Sequence, residues 1–140
     1  MNMKIILIAL TLIISIDGFS YHVIVNKRNR LQAIKTQDLK SFFYGDKLRW
    51  DDNSSVHIVD YNANSPLRKL FTDEVIGVSI SRVYKTWIRL SLSGGGAPPK
   101  ILRSEEEVVD MVSDDSNAIG YIEKEELASQ KNIKIIKVEK

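Results

Sequence analysis

Two rhythms of apolar residues alternate along the chain. Short runs in which β-branched and aromatic side chains follow one another almost without interruption occur at Tyr21 to Val25, Val56 to Val59, Ala118 to Glu123 and Ile133 to Val138. Such runs suit strands covered on both faces, and they predict four strands. Between them the apolar positions recur every three or four residues, the helical period. Thr36 is placed to cap a first helix, with Asp38 in its first turn, Leu39, Phe42 and Phe43 on its apolar face and Gly45 as its stop. Ser65 is placed to cap a second, with Pro66 at the first helical position, Leu67, Leu70, Phe71 and Val75 on one face and Gly77 at the end. A third runs from about Ser79 to Leu90, where Ile80, Val83, Tyr84 and Trp87 form an inward-facing stripe. Ser104 opens a fourth through a capping box with Glu107, each side chain satisfying the other's free amide. Strands alternating with helices predict an α/β layer architecture with a central, mostly parallel sheet flanked by helices. Ser93 to Pro99, with three glycines and two prolines, supports neither ladder nor helix and is a loop inside this one domain.

The first twenty residues follow another plan. Lys4 precedes an apolar run from Ile5 to Ile16 that Asp17 and Gly18 interrupt, with small Gly18 and Ser20 just before Tyr21. This is the layout of a secretory signal peptide over residues 1–20, cleaved near Ser20/Tyr21, and the run is short for a membrane span. The alternatives are an uncleaved anchor or a buried N-terminal strand. On the first reading the mature protein, residues 21–140, is exported to the periplasm and has no membrane span after cleavage. The chain has no cysteine. That rules out a lipoprotein anchor, disulfides, thiolate metal sites and a cysteine nucleophile. A net charge of +2, with basic residues spread rather than clustered, argues against nucleic acid as a partner.

The turn Asn64-Ser65-Pro66-Leu67-Arg68 has the most chemical content. It joins a hydroxyl cap, a helix N-terminus whose amides and dipole favour anions, and Arg68, able to grip a phosphate or carboxylate in two-pronged fashion. Ser65 as a simple cap and Arg68 as a solvated surface residue is the plainer alternative. Gly94, Gly95 and Gly96 can present amides to an anion as a concave nest, or serve only as a connection. His22 and His57 lie within predicted strands without companion ligands and read as structural. No Gly-x-Ser-x-Gly elbow surrounds any serine, and nothing in the sequence points to an enzyme, a metal or a cofactor.

The order of the motifs carries a resemblance. Val23-Ile24-Val25-Asn26 is followed by Leu39-Lys40-Ser41-Phe42-Phe43-Tyr44-Gly45 and Trp50. Then come Ser65-Pro66-Leu67-Arg68-Lys69-Leu70-Phe71, Trp87, the triple glycine, and Asn117-Ala118-Ile119-Gly120-Tyr121-Ile122. This set resembles the phosphate-type solute-binding proteins of ABC transporters, in particular short members with about one lobe. The resemblance implies one lobe of a type II periplasmic-binding-protein-like fold and a non-enzymatic role in the bacterial periplasm. Its implied partners are phosphate or a similar small anion, a membrane permease, and a second lobe or copy. It implies Ser65 as cap and ligand and Arg68 as charge partner; the reading of the turn and of the glycine run adds Asn64 beside them and Gly94 to Gly96 as a second contact. Pro66 and Leu67 stand where the family has Gly and Thr, which removes a backbone amide and a hydroxyl, and Tyr61 stands where longer members often have another Arg. The alternative is an envelope interaction or scaffold protein that keeps the lobe and has lost the ligand.

Overall fold

The computed structural model describes residues 20–140, so the export segment read from residues 1–20 lies outside the described residues except for Ser20. Six strands form one sheet: β1 (His22–Asn26), β2 (Ala33–Lys35), β3 (His57–Tyr61), β4 (Lys100–Leu102), β5 (Ala118–Ile122) and β6 (Ile133–Glu139). Their order is β2-β6-β1-β5-β3-β4. The β2–β6, β3–β5 and β3–β4 pairs are parallel, while β1 runs antiparallel to both β5 and β6. The sheet is therefore mostly parallel with one reversed strand at its centre. All four strands predicted from the apolar runs are present. The two unforeseen strands, β2 and β4, have three residues each, too few to show a period.

Among the described residues α1 (Thr36–Tyr44), α2 (Pro66–Phe71) and α4 (Glu105–Asp114) pack on the sheet, and α3 (Ile80–Leu92) packs outside α1. Gly45 ends α1 as predicted, in the left-handed conformation at φ 88°. Thr36 does not cap that helix. Lys35 holds the cap position without a side-chain bond, and the Thr36 hydroxyl donates instead to the Glu139 carbonyl at 3.0 Å, tying the helix start to the end of β6. Ser65 does cap α2, its Oγ accepting from the Arg68 amide at 3.2 Å. Beyond Phe71 the chain widens into a π-helical turn, Thr72–Ile76, that ends at Gly77. That turn brings Val75 and Ile76 side by side into the core.

α3 meets the body of the domain through a narrower face than the sequence implies. Val83 and Trp87 are buried, and the Trp87 indole donates to the Phe43 carbonyl at 2.9 Å, but Tyr84 is 63% exposed. It lies one residue round the helix from Val83, off the line Val83–Trp87–Leu90 that faces α1. In α4 the capping box is displaced by one residue. Ser104 Oγ accepts from the Glu107 amide, while the Glu107 carboxylate accepts from the amide of Arg103 rather than that of Ser104. The valines of α4 settle closely over β5. A Cβ on Gly120 would stand 3.0 Å from Val108 Cγ1, which gives the Ile-Gly-Tyr motif a packing reason.

A candidate ligand crevice at the ends of β3 and β4

In a sheet with parallel strands, the turn leaving each strand leads to a helix whose N-terminus faces the crevice beyond the strand ends. Here β3 leads to α2 and β4 leads to α4. A cavity of about 390 Å³ lies between these two turns. Tyr61, Ser65, Pro66 and Leu67 line it on one side; Arg103, Ser104, Glu105 and Glu106 do so on the other, with Glu123 and Lys124 behind. Both serines are helix caps that accept from a backbone amide, which leaves each hydroxyl proton free to donate into the crevice.

The crevice is poor in other donors. Pro66 has no amide hydrogen, and the Arg68 amide is committed to Ser65. Two cations, Arg103 and Lys124, stand against the carboxylates of Glu105, Glu106 and Glu123. Glu105 accepts from the Glu123 and Lys124 amides and so holds the β5 exit against α4, while Lys124 Nζ lies 3.8 Å from Glu106.

Arg68 is turned away from this crevice, contrary to its expected role as charge partner of an anion. Its guanidinium is buried, 8% exposed, where Nη1 donates to the Tyr61 carbonyl at 2.8 Å and Nε lies 3.6 Å from Asp60 Oδ2. Its position one turn into α2, directly over the end of β3, brings it to the carboxylate of the strand beneath. The Asp60 carboxylate is held from the other side by the Tyr121 hydroxyl at 2.5 Å and the Tyr61 amide at 2.8 Å. Burial pushes the Asp60 carboxyl above the usual carboxylate range; Arg68, the Tyr121 hydroxyl and the Tyr61 amide pull it back. Burial likewise raises the Tyr61 and Tyr121 phenols well above their ordinary range, so both remain donors, Tyr61 to the Tyr121 carbonyl at 2.6 Å. Phe71 stacks flat on Tyr121, with ring centroids 3.8 Å apart, and fixes its hydroxyl toward Asp60.

The remaining predicted residues are not brought to the crevice. Asn64 is exposed in the turn before α2, its amide donating to Asn62 Oδ1. Gly94, Gly95 and Gly96 precede β4, at the opposite end of the sheet from the crevice. The amides of Gly94 and Gly95 donate to the Ser91 and Leu90 carbonyls and close α3, so they form no anion nest. Ser65 alone of the six expected residues lines the crevice. Sequence reasoning missed Asp60, Ser104, Arg103 and Lys124 as parts of this region. A carboxylate inside the apolar run of β3 was the available signal for the first, and Ser104 had registered only as a cap. His57 pairs with Asp115 at 2.6 Å on the surface.

No family model matches the chain, and no curated protein matches it. Solved structures do. A phosphate ABC transporter substrate-binding protein with bound phosphate from Clostridium perfringens is 18% identical with a TM-score of 0.66, over 84% of this chain and 44% of its own. An ABC-type phosphate transport receptor from Vibrio cholerae is 20% identical with a TM-score of 0.65, over 86% and 46%. PstS from Borrelia burgdorferi is 15% identical with a TM-score of 0.69, over 85% and 47%. The chain thus spans less than half the length of the receptors it matches. At these identities the likeness is one of fold: the described domain has the fold of about one half of these phosphate-type substrate-binding proteins.

Proposed function

We propose that the chain is a non-enzymatic solute-binding module, exported to the periplasm and linked to ABC-type phosphate transport, that holds a small protonated oxyanion in the crevice between α2 and α4. The observation that carries this reading is the pair of capping serines, Ser65 and Ser104, on the two helix N-termini that flank one crevice in a PstS-like fold. The mixed lining selects within the oxyanions. Hydroxyls and cations accommodate a ligand's lone pairs, while Glu106 and Glu123 accept only from a ligand that keeps a proton. Phosphate near neutral pH does so and sulfate does not. The described residues supply one wall of the crevice, so on their own they bind modestly, and the other wall comes from the permease, a second lobe or a second copy.

Calorimetric titration of residues 21–140 with phosphate and with sulfate tests this. Phosphate binding that weakens on Ser65→Ala and on Ser104→Ala, with sulfate weaker, supports it. Absence of heat with phosphate up to about 1 mM overturns it. A second reading, an envelope interaction module that has lost its ligand, is favoured by the inward commitment of Arg68 and the missing amide at Pro66; it takes over on that negative result.

A further inference from the structure

We infer that α3 is a membrane-surface helix whose outward face docks the domain onto anionic phospholipid. Between Glu74 and Glu105 the chain has no carboxylate and five cations, Arg82, Lys85, Arg89, Lys100 and Arg103. The fold gathers the first three onto one side of α3, so basic residues spread in sequence become a patch in space. Arg82, Lys85 and Arg89, with the hydroxyls of Tyr44 and Ser79, line a groove of about 540 Å³, and none of the three forms an ion pair among the described residues. Next to this basic strip, Tyr84, Ile88 and Leu92 recur at four-residue steps. They are 63%, 41% and 85% exposed, three of the five large apolar side chains that the described domain leaves in water.

The core-facing line Val83–Trp87–Leu90 fixes the helix to the domain, so the apolar and basic strips share the outer half of the same helix. An apolar strip beside an unneutralised basic one matches a bilayer interface, where the apolar chains reach the acyl boundary and the cations meet phosphodiester headgroups. No helix of the described residues is long and apolar enough to cross a membrane, and α3 need only lie on it. A second copy fits less well, because a two-fold contact through this face sets the three cations against the same three.

The test is co-sedimentation of residues 21–140, which contain the whole described core, with vesicles of equimolar phosphatidylglycerol and phosphatidylcholine and with phosphatidylcholine alone. Binding to the anionic vesicles only is expected, falling about fivefold for each of Arg82→Gln and Lys85→Gln. Tyr84→Ser with Leu92→Ser lowers it more than tenfold while leaving the thermal melt in place, because both side chains are exposed. Inorganic phosphate does not displace the lipid-bound protein. The inference is overturned if anionic vesicles leave the protein in the supernatant, if phosphatidylcholine binds it equally, if the Tyr84/Leu92 variant binds undiminished, or if phosphate competes it off. Dimerisation in the ultracentrifuge that Leu92→Ser abolishes, without vesicle binding, assigns the face to a second copy instead.

Discussion

Replacing Arg68 by Met separates a structural arginine from a ligand-binding one. Met keeps much of the aliphatic volume and removes the charge. Two losses follow: the Tyr61 carbonyl loses its 2.8 Å donor, and the buried Asp60 carboxylate loses the one close cation it has among the described residues. Breaking a buried ion pair from one side costs about 3–5 kcal/mol. The 3.6 Å between Nε and Oδ2 is too long for a hydrogen bond, and Nε has no other partner, which places this pair at the low end, about 3 kcal/mol. For a domain of this size each kcal/mol moves the melting temperature by about 4 °C, so a fall of about 12 °C is expected in a thermal melt of residues 21–140. Adding Asp60→Asn to Arg68→Met removes the orphaned charge while keeping acceptors for Tyr121 and the Tyr61 amide, and it recovers about 2 kcal/mol of coupling in a double-mutant cycle. An Arg68→Met protein that melts within about 1 °C of the parent but loses phosphate affinity refutes the assignment and returns Arg68 to the crevice.

Other consequences are open to measurement. Gly120→Ala forces a methyl against Val108 between β5 and α4 and costs about 1–3 kcal/mol; urea midpoints of the purified variant check it, and an unchanged midpoint means α4 sits further from the sheet. Gly45→Ala combines a positive φ with a Cβ placed 2.5 Å from Leu90 Cδ1, so it destabilises by more than the roughly 1 kcal/mol of an ordinary glycine replacement. Because folding raises the Tyr61 and Tyr121 phenols above the unfolded value of about 10, the native state holds protons that the unfolded chain releases at higher pH. Stability is then full below about pH 10 and falls above it by about 1.4 kcal/mol per pH unit for each phenol. Alkaline melts read at 295 nm check this, and early ionisation of every tyrosine while the fold persists contradicts it. Pro66→Gly supplies the missing amide at the start of α2 and is expected to tighten phosphate binding about fivefold, the worth of one hydrogen bond of about 1 kcal/mol.

The strands and helices that bury several residues in sequence were legible, because burial writes its period into the chain. β1, β5 and β6 read directly as apolar runs, and α2 as a Ser-Pro start ending on glycine. What escaped was decided by tertiary contact. Thr36 left its cap to bind Glu139, more than a hundred residues on. Tyr84 shared the helical spacing of Val83 and Trp87, yet only a narrow line of α3 has α1 to face. The site divides similarly. Ser65 was identifiable as a cap because capping is local, whereas the direction of Arg68 depends on Asp60, a neighbour through the β3–α2 turn rather than through helical spacing. The triple glycine offered the right amides for a nest, but closing α3 uses those of Gly94 and Gly95.

The reversed strand β1 lies at the middle of the sheet, and both its partners come from the last part of the chain: Val23 opposes Tyr121 on one side and Ile136 on the other. The sheet therefore cannot close around its centre until residues 118–139 are available. With so many contacts between distant residues, folding is slow relative to a locally connected helical protein. A chain emerging from its N-terminus leaves β1 without either neighbour until residues 118–139 have been made. Loss of the β6 residues removes half the pairing of the sheet's central strand, a far larger effect than trimming an edge.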